Sequence, residues 1–575
     1  MDLIYKIWSS LEKFKKKSLI FSILLIISAI LETIGIGMIY QILKIITDAT
    51  FIDNNYYLSS LGSYLKIDNI DIILIFLFLI LIIFIIKNSL IIFFTQWQQK
   101  TLNSFDNYFS DRLFGYYINQ SYEKYLKNHS SVYVRNLTYE MSNFKGAIQQ
   151  LITLISESII LLIITCFLLY IDPIASLIIF LIICLVSSLY LFGPINVFLK
   201  KWSKQRLHFS SKYTKYLIQG LASVKEIRVY QSENETRSEH YINKKNVNDL
   251  TKHLVVLNSI PRNLFEVITI FILGSFMAYF LINEKSLVTI VPLAGVYLAA
   301  AYKFLPSIVK IINSLNTLKF LSASVNHIYS ELNMAKIIEN NDIKNKTDLI
   351  KTFKKIEFKN VNFSYMGTKK KIFKDVSIKI KKGEIVGIKG ESGSGKSTFI
   401  NLMLGLLKPT SGQILINDKD LRKLNKDWLK ILSYVPQNIY ITDNNIFRNV
   451  GFGKKIYEIN KSKVITILKK LKIYKDIRSK GMNKNLGERG SSFSGGQAQR
   501  IVFARALYKN PDVIFFDEAT NGLDEKNEQN IFKLLLKLKD KKTLIISTHN
   551  QNLLNICDYV FDVEKGKIVK KNKGI

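Results

Sequence analysis

Gly390-Glu391-Ser392-Gly393-Ser394-Gly395-Lys396-Ser397 follows the apolar run Ile385-Val386-Gly387-Ile388 and opens a helical pattern. A strand, a glycine-rich loop and a helix in that order form a phosphate cradle. The glycines let backbone N–H groups close around phosphates. Lys396 reaches the β- and γ-phosphates of a nucleotide, and Ser397 can hold Mg²⁺. Upstream, from Ile356, residues alternate as Ile-Glu-Phe-Lys-Asn-Val, which is strand periodicity. Further strand-like runs lie at 513–516 and 544–546, separated by helical patterns. Residues 353–575 are therefore expected to fold as an α/β domain.

Val513-Ile514-Phe515-Phe516 ends in two acids, Asp517 and Glu518. A carboxylate at a strand end supports Mg²⁺, and Glu518, one residue on, is placed to polarise an attacking water. Without the upstream loop the bland reading, two solvated acids after a core strand, would stand. Between the two motifs lies Phe493-Ser494-Gly495-Gly496-Gln497.

With that element the C-terminal part resembles the nucleotide-binding domain of ABC transporters. The resemblance implies a role for each matching residue. Tyr365 stacks on adenine; Gly390, Ser392, Gly393, Ser394, Gly395, Lys396, Ser397 and Thr398 form the phosphate loop. Gln437, in Val-Pro-Gln, joins Ser397 and Asp517 around Mg²⁺ and serves catalysis with Glu518 and His549. Ser494, Gly495, Gly496 and Gln497 close over ATP held by a second copy, and Asp524 belongs to the nucleotide-binding set. ATP and Mg²⁺ are the implied cofactors, and a homodimer is the implied working unit. Three departures stand out: Phe493 replaces Leu in the signature, Asn521-Gly522-Leu523-Asp524 replaces Ser-Ala-Leu-Asp, and Asn550 follows the switch histidine where Arg is usual. None removes a group expected to touch phosphate, so both ATP sites of the dimer are expected to be active. Gly487-Glu488-Arg489-Gly490 resembles the element that such exporters place against cytosolic loops of the membrane domain.

The first part of the chain differs in kind. A membrane helix needs about 20 apolar residues, and six stretches qualify, at about 18–43, 70–95, 150–171, 174–197, 257–282 and 287–314. The expected division is a transmembrane domain over 1–315, a charged connector over 316–352 and the nucleotide-binding domain over 353–575. The expected fold class is thus a membrane α-helical bundle of six transmembrane helices with long cytosolic extensions, joined to an α/β P-loop ATPase domain: ABC exporter architecture. Lys6, Lys13, Lys15, Lys16 and Lys17 precede the first apolar run, which continues too far for a cleavable signal.

The formal net charge of +35 invites a nucleic-acid reading. Abundant Lys, Ile, Asn, Phe and Tyr point instead to compositional bias, and basic residues belong on the cytoplasmic side of membrane proteins. No nucleic-acid partner is expected; membrane lipids are. Cys166, Cys184 and Cys557 are read as packed small hydrophobes.

Long polar segments join spans 2–3 and 4–5 and carry Lys124, Lys127, Arg135, Lys200, Lys201, Lys204 and Arg206. The positive-inside rule places these segments and both termini in the cytosol. Their helical periodicity predicts membrane helices that run on into the cytosol and reverse there. Asp172-Pro173 and 283–286 read as tight turns. The loop 48–68 has apolar residues at helical spacing, which suits an interfacial helix or one packed on the protein.

Ionisable groups inside a bilayer are costly and usually have a function. Lys87, Arg262 and Lys303 fall within spans. Lys87 and Lys303 each lie about 17 residues from the outer end of their span, roughly 25 Å at 1.5 Å per residue, and Arg262 sits just after span 5 enters. Three cations at one depth suit a multiply charged anion such as a pyrophosphate head group. The competing readings are snorkelling and pairing with Glu32, Glu157 and Glu266. The membrane half also resembles bacterial flippases of lipid-linked oligosaccharides, through Leu31-Glu32-Thr33, Asn55-Tyr56-Tyr57-Leu58, Ile260-Pro261-Arg262 and Tyr302-Lys303-Phe304-Leu305-Pro306. That resemblance implies pyrophosphate binding by the three cations, an anionic lipid-linked substrate and, as the expected location, a bacterial cytoplasmic membrane. The alternative is export of a peptide, lipid or drug-like hydrophobic compound. A channel or signalling ATPase is disfavoured, because every hydrolysis residue is present and no receptor-like domain is.

Overall fold

The computed structural model describes residues 2–10, 15–47, 69–282, 287–344, 350, 352–520 and 525–572. The loop 48–68, the turn at 283–286 and residues 521–524 lie outside them. The chain divides into two compact units: Met1–Asn119 with Asn128–Glu339, and Gln120–Lys127 with Asn340–Ile575.

The first unit is helical. Its elements are α1 (Asp2–Ser10), α2 (Lys15–Thr47), α3 (Asn69–Asn119), α5 (Ser130–Arg135), α6 (Met141–Ile171), α7 (Pro173–Phe192), α8 (Ile195–Ala222), α9 (Val224–Val229), α10 (Glu233–Ile282), α11 (Leu287–Phe320) and α12 (Ser322–Lys344); α4 (Tyr122–Lys127) belongs to the other unit. Among the described residues, five stretches are long and apolar enough to cross a membrane: Ala29–Thr47, Leu77–Asn119, Ser130–Ile171, Glu233–Phe271 and Ala294–Phe320. Within α7, Ser176–Ser188 is a shorter apolar stretch. Helices α3 and α10 have 51 and 50 residues, or about 75 Å at 1.5 Å per residue. That far exceeds a hydrocarbon core of about 30 Å, so the expected extensions are real. Ile160, Ile164 and Leu168 on α6 meet Ala300, Phe304, Ile308 and Ile312 on α11 in a buried seam. The four-residue spacing puts each set on one helix face. Phe78, Ile92 and Phe93 on α3 stay exposed, as lipid-facing side chains should. Cys557 is buried as expected, but Cys166 and Cys184 are exposed on apolar helices. There lipid takes the place of protein packing, so the packed reading fails for those two.

Beyond the apolar seam a second core joins Leu102, Phe109 and Leu113 of α3 to Phe144 and Ile148 of α6 and to Val325 and Ile328 of α12. Residues 316–339, part of the expected connector, thus pack within the first unit. Between α5 and α6 the helix widens to a π-turn over Asn136–Glu140, a distortion that marks an inserted constraint. Glu140 is fully buried; it accepts from Ser210 at 3.2 Å and from Ser324, and Arg135 approaches to 3.9 Å. Arg206 donates to Ser324 at 2.6 Å. His327 Nε2 lies 3.0 Å from Asn136 Oδ1 and 3.3 Å from the Arg135 guanidinium.

Burial, reinforced by the Arg135 charge, holds His327 below its ordinary value of 6.5, against the opposing pull of Glu331 and Glu140. The unfolded chain therefore takes up a proton that the folded one resists. This contribution to stability is complete above the unfolded value and is lost as pH falls toward the folded one. Thermal unfolding should shift to lower temperature between about pH 7 and pH 5. His327→Gln should flatten that dependence; an unchanged profile would exclude His327 as its source.

The second unit contains two sheets. An antiparallel sheet has the order β2-β1-β4-β5, from Phe373–Lys381, Lys355–Phe363, Ser411–Ile416 and Lys419–Asp420. The other has the order β10-β9-β3-β8-β7-β6, from Lys567–Asn572, Tyr559–Glu564, Ile385–Lys389, Thr543–Ser547, Val513–Asp517 and Leu432–Val435. All its pairings are parallel except β10 with β9. Strands β7 and β8 are buried along their whole length, which is why they read as unbroken apolar runs rather than alternation. Helix α13 (Lys396–Met403) follows β3, and its Phe399 ring packs edge-on to Phe358, Phe373 and Phe561. Strands of both sheets thereby seat the helix that ends the glycine-rich loop.

Candidate functional site

Strand β8 lies between β3 and β7, and all three run parallel. Ile388 and Asp517 are both in register with Ser547. Three segments distant in sequence therefore end at one sheet edge, where open α/β sheets bind ligands. The 390–398 loop leaves β3, Asp517 and Glu518 leave β7, and His549 follows β8.

At that edge Lys396 Nζ donates to the carbonyls of Gly390 at 2.8 Å and Glu391 at 3.1 Å. It lies 3.0 Å from His549 Nε2 and 3.8 Å from Glu518 Oε1. Glu518 Oε1 is 3.7 Å from His549 Nε2, and Oε2 accepts from Gln437 Nε2 at 2.7 Å. Glu518 has φ of 46° and its N–H donates to the Ser547 carbonyl. This left-handed turn, which costs a non-glycine residue about 1–2 kcal/mol, swings the carboxylate out of the strand line.

Gly390 has φ of +154°, and a Cβ there would meet the Val563 carbonyl at 2.6 Å. Gly395, with φ of +109°, is the N-cap of α13. Both are turns that a side chain would strain. Ser394 Oγ is buried without a hydrogen-bond partner, and the α13 N–H groups open onto the same loop. Unpaired donors at a helix N-terminus suit phosphate oxygens.

The donor set fits Mg²⁺. Ser397 bonds the Asp517 carboxylate, and Gln437, by donating its amide to Glu518, leaves its carbonyl oxygen for a cation. Hydroxyl, carboxylate and amide oxygens are the hard ligands that Mg²⁺ prefers. Burial, with the Glu518 charge beside it, raises the Asp517 carboxyl above its usual range; a bound dication would reverse that. Tyr434 OH donates to Asp517 Oδ2 at 3.2 Å. The sequence reading missed Tyr434, whose signal was a hydroxyl three residues before Gln437 on a strand.

Tyr365 OH lies 2.9 Å from Thr398 Oγ1, and its ring packs edge-on to Phe363. The next residue, Met366, donates its N–H to Glu123 of α4 at 2.8 Å, and Tyr122 packs on the same core. The helical reversal at 120–127 thus holds the loop that carries the proposed adenine-stacking ring, a role the sequence did not reveal.

Ser494 is the N-cap of α14 (Gly495–Tyr508). Its Oγ accepts from Gln497 N–H and its N–H donates to Gln497 Oε1, closing a capping box. Gln497 Nε2 also donates to Asp476 at 3.2 Å. Ser494 and Gly495 are exposed. Among the described residues, no hydrogen bond or ion pair joins 494–497 to the 390–398 loop, so one copy does not bring those elements together. Asp524 lies outside the described residues. The departures have local explanations. Phe493 packs against the core, under Lys480 at 4.2 Å. Asn550 caps Gln551–Asn555 and donates to Glu528 at 2.7 Å. Gly487, with φ of 81°, turns the chain into Glu488–Gly490.

In the first unit Lys87 is 8% exposed with its amine 4.5 Å above the Phe84 ring. Arg262 is exposed and Lys303 half-buried. Glu157 is buried but engages Lys310 at 2.6 Å and Ser307 at 2.8 Å. Lys310, inside the sixth expected span, was overlooked in the sequence. Glu266 is exposed, and the Glu32 side chain lies outside the described ones.

Residues 373–521 match the ABC transporter family. A leukotoxin translocation ATP-binding protein of a Pasteurella haemolytica-like species is 36% identical over 222 residues, 38% of this chain and 31% of that one. An ATP-dependent lipid A-core flippase of Francisella novicida is 34% identical over 229 residues, 39% of this chain and 38% of that one. The chain thus spans well under half the length of the curated relatives it matches. A bacterial Atm1-family ABC exporter with ATP bound superposes with a TM-score of 0.76 at 17% identity, covering 98% of this chain and 96% of that one. The fold is that of an ABC exporter, and the chain is a multi-pass membrane protein carrying an ABC-type nucleotide-binding domain.

Proposed function

We propose that two copies of this chain form an ATP-driven translocase of the bacterial cytoplasmic membrane that flips an anionic lipid-linked substrate, a polyprenyl-pyrophosphate-linked oligosaccharide. The observation that carries the ATPase reading is the convergence of Lys396, Gln437, Glu518 and His549 at one sheet edge. In this reading adenine stacks on Tyr365 and the phosphates lie in the 390–398 loop. Ser397, Asp517 and Gln437 would hold Mg²⁺, which when bound would supply neutralisation of the phosphate charge. Lys396 exchanges its loop carbonyls for the β- and γ-phosphates. Glu518 takes the proton of the attacking water, Gln437 fixes that carboxylate, and His549 donates toward the transferring phosphoryl group. The second copy supplies its 494–497 N-terminus, which fits the exposure of Ser494 and Gly495 within one copy.

One observation bears on the cargo reading. Lys87 is 8% exposed, and burial of that kind within a span is not snorkelling to head groups; Glu157, one of the three acids weighed against the cations, is engaged by Lys310 and Ser307. Lys87→Gln/Arg262→Gln/Lys303→Gln should cut flipping of a pyrophosphate-linked lipid in proteoliposomes about tenfold or more, on the order of 1.4 kcal/mol of lost head-group interaction. Basal ATPase activity should persist. Full flipping by the triple variant would transfer the assignment to the second reading, export of a hydrophobic peptide, lipid or drug-like compound. That reading would set apolar groups of the cargo against Phe180, Phe265, Tyr297 and Phe304, whose small cavity of about 70 Å³ has room for part of a cargo only.

A further inference from the structure

The first unit contains a second basic site, separate from Lys87, Arg262 and Lys303. A pocket of about 700 Å³ is lined by Lys200, Lys201 and Lys204 of α8, Lys319 of α11, Ser322, Ala323 and Asn326 of α12, and Asp2 and Leu3 of α1. It straddles the break between α11 and α12. Ala323 N–H donates to the buried Ser203 Oγ at 2.9 Å, tying α8 to that break. Lys319 donates to Asn196. The one acid in the lining, Asp2, is engaged by Lys6 at 2.6 Å, and Lys6 also donates to Asn326 at 2.9 Å. Among the described residues none of the four lysines has a carboxylate partner. Four ammonium groups around one pocket repel each other unless an anion joins them.

The pocket's neighbours identify the source of that anion. Lys200 and Lys319 follow the ends of the expected spans by three and five residues, or about 5–8 Å at 1.5 Å per residue. That is head-group depth. Helix α1 buries Ile7 completely in the unit's core, yet leaves Ile4, Tyr5 and Trp8 exposed. Exposed Tyr and Trp on a short amphipathic helix beside a span belong to a membrane interface. The pocket therefore combines three exposed lysines and the half-buried Lys319 with an apolar margin suited to acyl chains.

We propose that this pocket binds the phosphodiester head group of an anionic phospholipid from the cytoplasmic leaflet, clamping α8 and α1 onto the α11–α12 break. The site rests on the membrane orientation proposed above but not on the cargo or on ATP hydrolysis. Native mass spectrometry of the detergent-solubilised full chain, titrated with phosphatidylglycerol or phosphatidylcholine, tests it. Phosphatidylglycerol should bind more tightly, and less so as salt screens the site. In Lys200→Gln/Lys204→Gln/Lys319→Gln its affinity should fall about fivefold per lysine, and the triple Arg variant should restore it. Lys212→Gln, an exposed change further along α8, should bind as the parent does, and ATPase activity in detergent should be equal in all variants. Equal affinity for the two lipids, or unchanged phosphatidylglycerol binding by the triple Gln variant, would overturn the site. Inorganic phosphate binding as tightly as the lipid would overturn its assignment to a lipid head group.

Discussion

Glu518→Gln is expected to bind Mg-ATP and all but stop hydrolysing it. The substitution keeps the size of the side chain and can still meet Gln437 Nε2, now 2.7 Å from Oε2. It removes the group that accepts a proton from water. General-base assistance is worth about 10²–10⁴ in rate, so turnover should fall by that factor. Nucleotide affinity, set by Lys396 and the 390–398 loop, should hold. Single-turnover hydrolysis beside equilibrium binding of labelled ATP separates the two quantities. Undiminished hydrolysis would remove Glu518 from its role. Weakened binding with normal turnover would instead mean that its 3.7 and 3.8 Å approaches to His549 and Lys396 serve to shape the loop.

Mixing two inactive variants should restore activity that neither has alone. Lys396→Ala removes the ammonium beside the phosphates, and Ser494→Arg blocks the exposed cap that a second copy would present. Each homodimer then carries a lesion in both sites. A mixed dimer can place both lesions in one composite site and leave the other whole. Nucleotide-dependent dimer closure and partial ATPase activity should return on mixing, in proportion to the mixed species. Full hydrolysis by an isolated monomer would refute shared sites. This expectation comes from geometry as well as resemblance. The 494–497 N-terminus is capped, exposed and unlinked to its own phosphate loop.

The sequence by itself determined the nucleotide domain and the presence of membrane helices. The 390–397 loop, the run ending in Asp517 and Glu518, and the apolar stretches are local patterns. Their causes, phosphate geometry, a fully buried parallel strand and the thickness of a bilayer, act on consecutive residues and leave period and composition behind. The strand runs at 385–388, 513–516 and 544–546 reappear as β3, β7 and β8. Three-dimensional packing decided what consecutive residues do not encode. Glu157 found Lys310 because α6 packs on α11, 153 residues away in sequence; charge counting had offered it Lys87, Arg262 or Lys303. Tyr434 acquired Asp517 and Glu123 acquired the Met366 N–H through strand order and a helix reversal. The π-turn at Asn136–Glu140 shows only once α8 and α12 close over Glu140. The four-lysine pocket likewise needs three separate stretches of chain to meet. A buried charge is satisfied by whichever group packing brings within about 3 Å, and that distance belongs to the tertiary structure alone.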